Sequence, residues 1–199
     1  MLILNNISKS FDAKPILTDF SSSLESNSIY RLVGPNGVGK TTLLKIIKGI
    51  VIQDQGTVSL NCGSPLKSSA SYIDGNNRSF LHRLTVTQNL LYFLALNKQS
   101  KNKYMIEPLM EEFKITALAN EIFSVLSAGQ MQLIALIRGL LEQPKLLLLD
   151  ETFANIDQER AQIFVNHLEQ FVGDSERTVI LCSHNDSLPL DITGTIQLG

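Results

Sequence analysis

The stretch GPNGVGKTT, Gly34 to Thr42, sets glycines, one lysine and two hydroxyls at a spacing suited to holding phosphate. It fits G-x-x-x-x-G-K-[ST] in full, with a strand-like run before it and a helix-like run after it. The glycines let the backbone of Gly34, Pro35, Asn36, Gly37, Val38 and Gly39 wrap phosphates with N–H groups turned inward. Lys40 would reach the β- and γ-phosphates of a nucleotide, Thr41 would ligate Mg²⁺ through its hydroxyl, and Thr42 stands beside it. A second acidic element, LLLLDE, ends in Asp150, placed to hold Mg²⁺, and Glu151, placed to orient or deprotonate an attacking water. His184, in CSHND, closes another apolar run on the edge where phosphates should lie, and a γ-phosphate contact is expected of it. His82 and His167 have no such placement and read as surface residues.

A third element asks for an anion without an obvious owner. In VLSAGQMQ, Val125 to Gln132, Ser127 is a natural N-cap, and small residues leave the first N–H groups of the following helix open to close approach. Each element also has a plain structural reading: a glycine-rich turn, an acidic strand end, an ordinary cap. Their joint occurrence in one chain favours the chemical one.

The elements that must position these residues follow from periodicity. LILNNIS alternates like a strand, and PILTDFSSSL follows after a turn near Asp12–Lys14. SIYRLVG is a short strand ending at glycine, TTLLKIIKGI a helix with Gly49 near its end, and GTVSL another strand. From Leu84 to about Gln143 the pattern is helical, predicting a mostly helical lobe. KLLLLDE and TVILCSH read as parallel strands buried on both faces, DQERAQIFVNHLEQFV as an amphipathic helix, and GTIQLG as a last strand. Strands alternating with helices predict an α/β core with a parallel sheet and ligands at the carboxyl ends of its strands.

Composition narrows the function classes. The 199 residues are 44% hydrophobic and 18% charged, enough for one domain with a real core. A net charge of −2 argues against a basic nucleic-acid face. The two cysteines, Cys62 and Cys182, lack metal-ligand spacing; Cys182, inside TVILCS, is expected to be core packing in a reducing compartment. MLILNNISKS lacks a basic leader and predicts no signal peptide, and no apolar stretch approaches the roughly 20 residues of a spanning helix.

Phosphate loop, L-S-x-G-Q, L-L-L-L-D-E and a later S-H, in this order, resemble the nucleotide-binding subunit of ABC transporters over essentially the whole chain. The resemblance implies a P-loop NTPase fold: a RecA-like α/β core, an antiparallel β subdomain and an α-helical subdomain, as one domain over 1–199 with the helical part at about 84–143. It implies ATP hydrolysis with ATP and Mg²⁺, and a head-to-tail dimer, homodimeric or with a similar subunit. In that dimer Ser127, Gly129 and Gln130 of one copy would complete the ATP site of the other, with Gln130 in a lesser role. Phe11 matches the aromatic that stacks on adenine, and Ala154 to Asp157 the loop that crosses the interface. Glu151, His184 and Lys40 would carry the chemistry. Transport would run through a membrane permease on another chain, with the ATPase on the cytoplasmic face of the cell membrane, no nucleic acid bound and export favoured.

The chain departs from the family at SYIDGNNRSF, where a glutamine that touches Mg²⁺ is expected and absent; Asp74, Asn76 and Asn77 are the candidates to replace it. Thr152 stands where a proline is commoner. Rival readings are an ABC ATPase not coupled to transport and a nucleotide-gated subunit that does not hydrolyse. Within transporters, the length and LSAGQ spelling are similar to haem exporters for cytochrome c maturation, and RSF…RLT to polysaccharide or drug exporters.

Overall fold

Strand β1 (Leu2–Phe11) buries Leu2, Leu4 and Ile7 and turns back through Asp12 and Ala13, both left-handed at φ 48° and 62°. Two consecutive positive φ values make the turn type whose twist matches paired strands. Strand β2 (Lys14–Leu24) and strand β4 (Gln55–Leu60) pair antiparallel with β1 on either side, giving a three-stranded sheet in the order β2-β1-β4. The computed structural model describes residues 1–61, 66–75, 79–153, 155–173, 176–183 and 190–199.

The second sheet is parallel throughout. It orders β5 (Ala70–Asp74), β6 (Leu146–Asp150), β7 (Thr178–Cys182), β3 (Ser28–Val33) and β8 (Gly194–Gln197) side by side. Every residue of β6 and β7 is buried, as the runs LLLLD and TVILC require of strands covered on both faces. Period-two alternation divides them. Leu146, Leu148, Ile180 and Cys182 pack with helix α1 (Lys40–Lys48), whereas Leu147, Leu149, Val179 and Leu181 pack on the other face. Gly49 ends α1 in the left-handed conformation, as its sequence position implied. A single turn, α2 (Leu66–Ser69), precedes β5.

Between β5 and β6 the chain is helical: α3 (Val86–Leu96), α4 (Ile106–Glu112) and α5 (Ala128–Glu142), joined through 3-10 turns. Buried Asn89 ties the entry segment to α3. Its Nδ2 donates to the carbonyls of Leu81, Leu84 and Thr85, and its Oδ1 accepts from the Leu81 N–H. Helix α6 (Gln158–Gly173) lies between β6 and β7 and buries Phe164, Val165 and Leu168. The α/β core with an antiparallel β unit and a helical lobe is the architecture expected from the sequence.

His167 corrects that expectation. Its ring stacks on Phe113 with centroids 5.7 Å apart, and its Nε2 lies 2.9 Å from Glu112 Oε2, so it is a part-buried α6 residue rather than a surface one. His82 is exposed, edge-on to Phe123. Among the described residues no helix is long and apolar enough to cross a membrane.

Candidate nucleotide site

The loop between β3 and α1 is held by close packing at two glycines. A Cβ at Gly39 (φ 112°) would meet Ile16 Cγ2 at 2.9 Å, and one at Gly34 (φ 152°) would meet the Leu198 carbonyl oxygen at 2.5 Å. Only glycine allows that backbone so close to β2 and to the end of β8. Lys40 Nζ bridges the loop mouth, donating to Gly34 O at 2.7 Å and Pro35 O at 3.1 Å. The Val38 N–H donates to Pro35 O at 3.3 Å, and the Val38 side chain packs into the core beneath. Asn36, Gly37, Gly39, Lys40, Thr41 and Thr42 share one cavity of about 560 Å³ with Phe11 and Glu151. Phe11, 47% exposed at the end of β1, forms its wall, with Lys9 Nζ 5.2 Å from the ring centroid. The amides, the ammonium and the flat ring suit phosphates at one end and a base at the other.

Glu151 lines this cavity just past the end of β6, and Asp150 is the last residue of that strand. Asp150 is 5% exposed; its Oδ2 accepts from the Tyr72 hydroxyl at 2.8 Å, while its Oδ1 is buried with no hydrogen-bond partner among the described residues. A buried carboxylate oxygen left open is costly unless something positive fills it. The Asp150 carboxylate and the hydroxyl of Thr41, a residue that lines the loop cavity, are the hard-oxygen donors that Mg²⁺ takes, so the residue types fit the ion. Burial, with the charge of Asp150, pushes the Tyr72 phenol well above its ordinary range, so Tyr72 remains the donor in this pair.

Glu151 occupies a left-handed conformation at φ 55°, unusual for a non-glycine. Its N–H donates to the Cys182 carbonyl at 2.8 Å, and the Cys182 thiol donates to its carboxylate with Sγ 3.6 Å from Oε1. The turn thus swings the Glu151 carboxyl off the strand line and into the cavity. Burial and the nearby carboxylates of Asp150 and Glu151 push the Cys182 thiol up to about 12. Sequence reading found the burial of Cys182 but missed its contact with Glu151, which no spacing rule announces.

A second cavity, of about 400 Å³, lies elsewhere and shares no lining residue with the first. Ser127 caps α5 by accepting from the Gln130 N–H at 3.3 Å, and Gln130 Oε1 accepts from the Ser127 N–H at 2.8 Å. That reciprocal pair fixes the tip of a helix of 15 residues, whose first turn carries the positive end of the helix dipole. Ser127, Gly129 and Gln130 line this cavity with Asn155 and Asp157. The structure therefore gathers the loop, Phe11 and Glu151 in one place and the LSAGQ residues in another.

Of the candidates for the missing glutamine, Asp74 pairs in register with Asp150 but lines a third cavity, the cleft between sheet edge and helical lobe, with Lys45, Lys48 and Arg138. Asn76 and Asn77 lie outside the described residues, as do His184 and Ala154. Gly75 donates its N–H to the Asp150 carbonyl at 3.1 Å.

The fold and the loop cavity define a P-loop ATPase domain of the ATP-binding cassette class. The ABC transporter family model matches residues 17–154, and the chain belongs to that family as an ATP-binding subunit, an ATPase. It is 31% identical over 205 residues to the lipopolysaccharide export system ATP-binding protein LptB of Haemophilus influenzae, covering 96% of this chain and 83% of that one. It is 31% identical over 206 residues to the sulfate/thiosulfate import ATP-binding protein CysA of Synechocystis, and 30% over 202 residues to the spermidine/putrescine import ATP-binding protein PotA of Thermotoga maritima. It spans 57% and 55% of those two chains, little more than half of each. Among solved structures, the ATP-binding subunit of an ABC transporter superposes with TM-score 0.84 at 21% identity, over 92% of this chain and 79% of that one. A dimeric ATP-binding cassette in a post-hydrolysis state bound to ADP and Pi superposes with TM-score 0.81 at 19% identity, over 94% and 90%.

Proposed function

We propose that the chain is the motor subunit of a transporter whose membrane-spanning part is a separate polypeptide, and that it works as a head-to-tail dimer with itself or a similar subunit. In this reading residues 1–199 form one ATPase domain with a helical insertion at about 84–143, seated on the cytoplasmic face of the membrane. The observation that carries it is the separation of two complementary half-sites on one chain, Lys40 with Glu151 in one cavity and Ser127 with Gly129 in another. Neither can surround a nucleotide alone; a second copy, turned end to end, supplies what each lacks.

The residues divide the work. The loop amides and Lys40 bind the β- and γ-phosphates and offset the charge that develops on transfer. Thr41 and Asp150 would hold Mg²⁺, which would supply positive charge against the phosphates. Glu151 orients and polarises the attacking water, and His184 is assigned to the γ-phosphate. Ser127, Gly129 and the α5 tip bring donors from the partner copy, so ATP favours the closed pair and its hydrolysis releases it. The net charge of −2 supports a protein rather than a nucleic-acid partner. The cleft at Asp74 and Arg138, on the lobe side of the sheet, is assigned to the membrane subunit. The direction assigned is export, supported by a relative covered over 83% of its own length that is an export-system subunit.

Two measurements test the reading. The purified chain should hydrolyse Mg-ATP, and Glu151→Gln should lower the rate by at least about 100-fold while leaving ATP binding in place. Affinity purification from native membranes should bring down an integral membrane protein. Hydrolysis without such a partner would favour the ATPase uncoupled from transport.

A further inference from the structure

We infer that Tyr72 is a positioning residue for the Asp150 carboxylate and sets how tightly the site retains its divalent cation. The inference rests on the assignment of Asp150 as the metal-holding carboxylate. In the parallel pairing of β5 with β6, Tyr72 stands opposite Leu148 and Asp74 opposite Asp150. Tyr72 is therefore one strand over and two residues back from Asp150, on the same face of the sheet. That diagonal is too long for a short side chain but within reach of a phenol. The Tyr72 hydroxyl spans it and donates to Asp150 Oδ2 at 2.8 Å.

The consequence lies at the other oxygen. With Oδ2 pinned, the carboxylate cannot turn freely about its terminal bond, and Oδ1, buried and without a partner among the described residues, is held in one direction. A hydrogen bond behind a ligating carboxylate is the kind of support on which metal affinity depends. Tyr72 is itself fixed from the lobe, since its carbonyl accepts from Arg138 Nη2 at 3.2 Å. Tyr72 also lines the cleft that holds Asp74, so one side chain spans the wall between cleft and metal carboxylate. In a chain without the usual glutamine after this strand, the phenol is the described group that joins the two.

The test uses the full chain with a non-hydrolysable ATP analogue and Mn²⁺ followed by electron paramagnetic resonance. Tyr72→Phe keeps the ring and removes the donor. Its Mn²⁺ dissociation constant should rise about 10–100-fold, while analogue binding in EDTA and the melting temperature stay close to the unaltered chain. Mg²⁺ half-saturation of ATP hydrolysis should rise by the same factor, with kcat at saturating Mg²⁺ nearly retained. Tyr72→Met, which fills the space without a donor, should repeat the Mn²⁺ shift and keeps the test usable if the phenylalanine variant does not fold. An Mn²⁺ affinity within about twofold of the unaltered chain, or a loss shared equally by binding in EDTA, would overturn the inference. Asp150→Asn separates the two levels: if it binds Mn²⁺ as well as the unaltered chain, the assignment of Asp150 fails, not merely that of Tyr72.

Discussion

Gly129 packs so closely on Asn155 that a Cβ at Gly129 would come within 2.4 Å of the Asn155 carbonyl oxygen. The tip of α5 and the loop that follows Glu151 are thus in backbone contact, and a shift in one moves the other. The position needs glycine for space, not for an unusual φ. Gly129→Ala should push the Asn155 loop away and displace both the second half-site and the turn carrying Glu151. ATPase activity should fall by about 100-fold, while nucleotide binding by the Lys40 loop of the isolated chain changes less than about twofold. Steady-state kinetics beside equilibrium nucleotide titration checks this.

Arg138 holds the lobe to the sheet from a site that admits little water. Its guanidinium lies 5.1 Å from the Phe80 ring centroid and 4.6 Å from that of Phe93, donates to Ser79 Oγ at 2.8 Å, and has Nε 3.6 Å from Glu142 Oε1. Ser71 donates to the other Glu142 oxygen. Arg138→Ala would leave the part-buried Glu142 carboxylate without its cation and open a gap beside the Phe80 and Phe93 rings, costing about 3–5 kcal/mol and lowering the melting temperature by about 6 °C or more. Arg138→Met with Glu142→Gln should recover much of that loss, since removing both charges removes the uncompensated one. Thermal unfolding of the two variants checks the pair.

Cys182 gives a pH dependence of defined sign. Its thiol is pushed up to about 12 in the fold, against about 8.5 in an unfolded chain. Above the lower value the unfolded chain gives up a proton that the folded chain keeps. Stability is therefore lost as pH rises through this window and is unaffected below it. Cys182→Val should remove this contribution, so the stability gap between the two proteins should change by about 1 kcal/mol for each pH unit above about 9. Denaturant unfolding at pH 8 and pH 10 checks it. The same protonation predicts slow alkylation of folded Cys182 at neutral pH.

The legible parts of the molecule were those written in short-range patterns. LLLLD and TVILC carry the double burial of β6 and β7, Gly49 the end of α1, and Ser127 the N-cap of α5. The phosphate loop was legible because its residue types and their spacing state one chemistry. Contacts across strands were not. The Tyr72–Asp150 bond joins residues 78 apart in sequence and the Cys182–Glu151 contact residues 31 apart. Both exist only once the strand order β5-β6-β7 is set. His167 was misplaced for a related reason: its neighbours on α6 say nothing of Phe113, which packs on it from the lobe. The place of Asp74 in the cleft needed the same register, since the residue alone offers a carboxylate to either side.

The central claim is that two chains complete each ATP site, and sedimentation equilibrium of the Glu151→Gln chain tests it most directly. With saturating Mg-ATP the account predicts a species of twice the 22.0 kDa of one chain, reverting to monomer when nucleotide is removed or when Gly129→Ala is added. A chain that remained monomeric at high concentration with Mg-ATP bound, and also when its native membrane partner was supplied, would contradict the account.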